Sequence, residues 1–117
     1  MSNSNRVENV MQMNQSDLYE AAVSARQAGQ SAPMASVAYG CGRVYVFVGY
    51  KPLRKNAKAV KTLEKAGFRM TPRPGDSGVL IYVGYDNATG RELGMGEAIA
   101  QSFRDSGIAS GMDADPD

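Results

Sequence analysis

Cys41, the carboxylates Asp76, Asp86, Glu92 and Glu97, and the glycines of Gly94-Met95-Gly96 are the residues with which this 117-residue sequence could do chemistry, because it contains no histidine. That absence removes the commonest general base, the usual activator of a nucleophile and the commonest zinc ligand together. Cys41 lies in Gly40-Cys41-Gly42 beside Arg43. A neighbouring arginine favours a thiolate, but with no base to activate it the thiol is a weak candidate nucleophile, and the segment reads as a tight turn. As the single cysteine it forms no intramolecular disulfide and could bridge only to a second copy. The four carboxylates follow neither the spacing of a calcium loop nor that of a catalytic acid–base pair. Gly94 and Gly96 suggest a phosphate loop, yet the third glycine of a dinucleotide motif and the lysine-serine or lysine-threonine of a Walker loop are missing. A helix start shaped to fit its sheet explains them better. The expectation is a protein that works by binding, without catalysis, metal or cofactor.

Two sets of residues could bind. Lys51, Arg54, Lys55, Lys58, Lys61 and Lys65 form a basic stripe along one side of a helical pattern. Such lysines are a solvated face opposite a core or, in the functional reading, a contact for a polyanion or an acidic protein surface. Tyr45, Phe47, Leu80 and Tyr82 form the second set, discussed below. The net charge of +1 hides a segregation along the chain. Residues 51–73 hold eight lysines and arginines against Glu64, a net +7, and residues 74–117 hold two arginines against eight acids, a net −6. A basic middle and an acidic end can steer a charged partner or pair with a second copy, so a homodimer is among the expectations.

Elements must position these groups. Asp17 with Glu20 resembles a helix N-terminus, residues 18–28 are rich in helix formers, and Gly29 can close the helix. Residues 35–39 and 43–50 read as two strands joined by the Gly40-Cys41-Gly42 turn. Residues 53–66 have helical periodicity and stop at Gly67; residues 68–73 are an edge strand, confined there by Pro72 and Pro74, and residues 74–78 a turn. Residues 79–85, the most apolar run, read as a central strand, followed by a helix strongest over residues 97–105 that ends at Gly107. Residues 1–14 read as a flexible N-terminus, 15–108 as one α+β domain, and 109–117 as an acidic, flexible or partner-bound tail. The N-terminus lacks the apolar run of a signal peptide and no stretch is apolar enough to span a bilayer, which predicts a cytoplasmic protein.

An internal repeat organises this pattern. Val44-Tyr45-Val46-Phe47-Val48-Gly49-Tyr50 matches Val79-Leu80-Ile81-Tyr82-Val83-Gly84-Tyr85 at both outer valines, the glycine and the last tyrosine, and each copy leads through a helix to Gly67-Phe68 or Gly107-Ile108. Alternation along the strands places Val44, Val46, Val48, Val79, Ile81 and Val83 on one aliphatic face for the helices to cover. Tyr45, Phe47, Leu80 and Tyr82 fall on the other face, where such a patch marks an interface unless the N-terminal helix or a second copy covers it. Aromatic rings there serve a protein partner, a glycan or single-stranded nucleic acid.

This order of valine-glycine strand, alanine-rich helix ending in glycine-aromatic, edge strand, second valine-glycine strand and second helix resembles the SPOR domain over about residues 43–108. The resemblance implies a ferredoxin-like core, an antiparallel sheet of about four strands with two helices on one face, here preceded by an N-terminal helix, and binding of peptidoglycan glycan on the sheet. Phe47 and Tyr82 depart from the polar residue and the arginine common in that family, and no final strand is evident after Ile108, so residues 35–39 are expected to fill its place beside residues 44–50. The alternative expectation is a small phage-type inhibitor, adaptor or virion component docking through the basic helix and acidic tail. Nucleic acid ranks third, because the arginine-glycine-aromatic motif of RNA-recognition sheets is absent and the chain is nearly neutral.

Overall fold

The computed structural model describes residues 14–35, 40–49, 57–71 and 79–116. Three helices and four strands follow in the order α1 (Gln15–Gln30), β1 (Cys41–Val48), α2 (Ala57–Lys65), β2 (Arg69–Met70), β3 (Val79–Asn87), α3 (Arg91–Asp105) and β4 (Ser110–Pro116). The strands form one antiparallel sheet in the order β2-β3-β1-β4. Two strand–helix–strand units thus interleave, each central strand coming from one unit and pairing with the other, which is the ferredoxin-like arrangement expected.

The alternation predicted for β1 holds residue by residue: Val44, Val46 and Val48 are buried, while Tyr45 and Phe47 are half-buried on the opposite side. Val46 and Val48 join Ile81 in a core closed by Leu63 of α2, Ile99 and Phe103 of α3, and Leu18, Ala22 and Ala25 of α1, while Val44 faces Gly96 of α3. Phe68, just past α2, meets Phe103 with ring centroids 6.1 Å apart. α1 packs on α3 and α2 in the helix layer, so it does not cover the aromatic side of the sheet. Alanines on its inner side let it approach closely, and Gly29, expected as its terminator, lies inside it, buried against Ile99. The helix starts earlier than Asp17, because the side chain of Asn14 accepts from the amides of Ser16 and Asp17.

The repeated glycine-plus-apolar pairs have one physical explanation. Gly67 and Gly107 adopt φ of +105° and +86°, a conformation that costs glycine nothing. In each case the glycine amide donates to the carbonyl three residues back and the next amide to the carbonyl five back: Gly67 to Glu64 and Phe68 to Leu63, Gly107 to Arg104 and Ile108 to Phe103. These paired bonds close both helices and turn the chain back toward the sheet.

The structure corrects three sequence expectations. Residues 110–116 of the expected flexible tail are β4, paired with β1 from Val48 opposite Ser110 to Gly42 opposite Pro116. Its side chains are polar, but its partner is a central strand that otherwise lacks a neighbour on that side, and backbone pairing does not depend on side-chain polarity. Ser110 Oγ donates to the Phe47 carbonyl at 2.8 Å, and Arg104 donates to the Ser110 carbonyl at 2.8 Å, fixing the start of the strand. β4 therefore occupies the place expected for residues 35–39, of which 36–39 lie outside the described residues. Thirdly, Cys41 and Gly42 belong to β1 rather than to a turn. Residues 1–13 of the N-terminus expected to be flexible, and the expectations of helix at 53–56 and of a turn at 74–78, also fall outside the described residues.

Candidate binding face of the sheet

The register assembles the aromatic residues that the sequence singled out. Tyr45 pairs with Tyr82 and Phe47 with Leu80, so all four share the face away from the helices. The rings of Tyr45 and Tyr82 stand 5.6 Å apart at 54°. Each flank adds a residue that sequence reasoning missed. Arg69 of β2 pairs with Tyr82 and holds its guanidinium carbon 5.3 Å from that ring, and Asp113 of β4 pairs with Tyr45. A row Arg69–Tyr82–Tyr45–Asp113 therefore crosses all four strands. A parallel row runs Tyr85–Arg43–Asp115 over three of them. Asp113 and Asp115 were legible only as members of an acidic tail, and Arg69 only as part of a basic run; pairing gives them their place.

Phe47 takes its posture from β4. Its partner is Gly111, and a β-carbon built there would lie 2.6 Å from the tip of the Phe47 ring. The tip of the ring thus occupies the space that a side chain at residue 111 would need.

Why Tyr85 joins this face is a matter of one extra residue. Between the Val44–Gly84 and Tyr45–Tyr82 pairs β3 carries Val83 unmatched, a β-bulge. Past it the alternation changes phase. Tyr85 turns outward, 42% exposed, and Asp86 turns under the first turn of α3, where it is 1% exposed.

Asp86 is a structural carboxylate. Its Oδ1 accepts from the amides of Thr89 at 2.9 Å and Gly90 at 3.0 Å, and its Oδ2 from Leu93 at 3.1 Å. Burial works to raise its pKa, but the backbone donors, Leu93 foremost and then Gly90, Thr89 and Glu92, outweigh it and hold the carboxyl below its ordinary value. These amides are the ones a phosphate would need, which removes the phosphate-loop reading. Gly94 and Gly96 lie inside α3 rather than before it: the carbonyl of Pro33 occupies the space of a Gly94 side chain, and Gly96 faces Val44 and Met112.

The basic set is placed elsewhere. Lys58, Lys61 and Lys65 are exposed on α2, a helix of the opposite layer that adjoins β2, the edge remote from β4; Lys51, Arg54 and Lys55 lie outside the described residues. The Cys41 thiol donates to Oδ1 of Asn87 at 3.3 Å across the strand pair. Among the described residues no group of three metal-ligating side chains converges, and no helix is long and apolar enough to cross a membrane. Comparison with family models, curated proteins and solved structures matched the chain to none of them.

Proposed function

We propose that this chain is a non-catalytic binding protein that holds a glycan strand, of the peptidoglycan type, across the open face of its sheet. The observation that carries this reading is the row Arg69–Tyr82–Tyr45–Asp113. Two tyrosine rings offer an apolar surface with polar tips, and a guanidinium and a carboxylate at the ends can donate to and accept from hydroxyl and amide groups. Charge argues for a neutral ligand. Arg43 and Arg69 on this face are matched by Asp113 and Asp115, whereas a nucleic-acid face carries an excess of cations beside its rings. Among the described residues the lysines, Lys58, Lys61 and Lys65, stand on α2, in the other layer. The resemblance to the SPOR domain points to the same ligand class.

Co-sedimentation with purified peptidoglycan sacculi at low and high salt tests the reading, using wild type and the F47A/Y82A double variant. The expected result is binding that persists in high salt and is lost in a variant that remains folded by circular dichroism. Binding abolished by salt would transfer the function to the basic helix, as a dock for an acidic protein surface. Unfolding of the double variant would make the face part of the core and remove the proposal.

A further inference from the structure

A cavity of about 250 Å³ lies where β1 begins and β4 ends, beneath the first turn of α3. Its described lining is Val44, Leu93, Ala114, Asp86 and the chain at Gly40, Cys41 and Gly42. The register brings these residues together on the helix side of the sheet: Val44 pairs with Ala114 and Gly42 with Asp86, and the Leu93 amide donates to Oδ2 of Asp86 at 3.1 Å. None of them belongs to the two rows that cross the open face. Val44 and Leu93 are buried, yet both stand outside the main apolar cluster, so the cavity has apolar walls of its own. The space exists because side chains are missing. The inward series Gly42, Val44, Val46, Val48 begins with a glycine, β4 offers only Ala114 opposite Val44, and a β-carbon on Gly40 would meet no atom within 4 Å. Alternation turns the Cys41 side chain away with Arg43, its thiol bonded to Asn87, and leaves its backbone in the lining.

We propose that this cavity binds a small, uncharged apolar molecule, of the size of one substituted aromatic ring, held between Val44, Leu93 and Ala114. The volume is sufficient, since an apolar cavity of roughly 150 Å³ accepts benzene. Charge selects a neutral ligand. Asp86 is the one charged side chain in the described lining, and both its oxygens already accept from the amides of Thr89, Gly90 and Leu93. An anion would find no cation there, and a cation would find no free carboxylate oxygen, so either would lose its hydration without a partner.

Toluene is the probe, with benzoate and benzylammonium as its charged counterparts, each titrated into ¹⁵N-labelled protein at constant ionic strength and followed by NMR. The expected result is saturable shifts of the Gly42, Val44, Leu93 and Ala114 amides with toluene, and binding weaker by about tenfold or more for either charged ring. Ala114→Leu, which fills the cavity from the edge strand, should raise the Kd for toluene by about tenfold or more. The comparison of the three probes uses wild type alone, so it decides the matter even if A114L does not fold. No saturable shift at these amides, a charged ring bound as tightly as toluene, or unchanged toluene binding in folded A114L would overturn the proposal.

Discussion

The two sides of β1 are made from alternate residues of one strand, yet they obey different rules. Val44, Val46 and Val48 are at most 1% exposed on the helix side of the sheet, which α3 covers, whereas Tyr45 and Phe47 are half-buried against other strands. On the first side volume decides stability, because close-packed neighbours cannot follow a lost methylene. On the second side the rings are held by neighbours in the sheet, and their loss removes a contact surface rather than a core. The eight residues of β1 thus divide between a core face and an open face without sharing a side chain.

Four substitutions probe that division, in falling order of effect. Phe103→Ala, beneath the valine face, should cost about 3–5 kcal/mol in urea denaturation; a loss within about 1 kcal/mol would mean that the helix layer is not the core. Asp86→Asn should cost about 2 kcal/mol at neutral pH, because an amide cannot serve backbone donors as a carboxylate does. The sign with pH follows from its lowered pKa. Its contribution is fully present above the ordinary carboxyl pKa of the unfolded chain, near 4, and is lost as pH falls through the folded value. Wild-type stability should therefore decline through the acid range below about pH 4, and the variant should decline less; parallel curves would contradict the assignment. Gly111→Ala forces the Phe47 ring off β4, with an expected cost of about 1 kcal/mol and altered Phe47 ring-proton shifts; unchanged shifts would show that the ring does not lie there. Tyr85→Ala, adjacent to Asp86 but on the open face, should change stability by less than about 0.5 kcal/mol, and a change as large as that of Asp86→Asn would erase the distinction between faces.

Much of this architecture was legible in the residues. Strict alternation in residues 44–48, glycine-apolar pairs after two helical patterns, and the match between residues 44–50 and 79–85 suffice for the two central strands, two of the helices and the location of the aromatic face. What stayed hidden depends on partners distant in sequence. The bulge at Val83 has no local signature, because valine suits either phase of a strand, and without it Asp86 would be assigned to the wrong face. β4 was masked by its acids, although Met112 and Ala114 alternate with Asp113 and Asp115 as an edge strand requires, charges on an edge being a common guard against unwanted pairing. Arg69 and Asp113 acquire a role only through register, which no composition encodes.

The pairing of β1 with β4 also bears on how the molecule reaches its native state. Ser110 bonds to Phe47 across 63 positions, and the other neighbour of β1 comes from the second unit as well. The central strand therefore cannot be satisfied by anything local; its valines wait on segments that arrive only after a long excursion of chain has been closed. Helices α1 and α2 can flicker into existence early, but they have no sheet to rest on until both distant strands arrive. Refolding from urea should accordingly take milliseconds or longer in place of the microseconds typical of helical proteins, with the second strand–helix–strand unit setting the pace for the first.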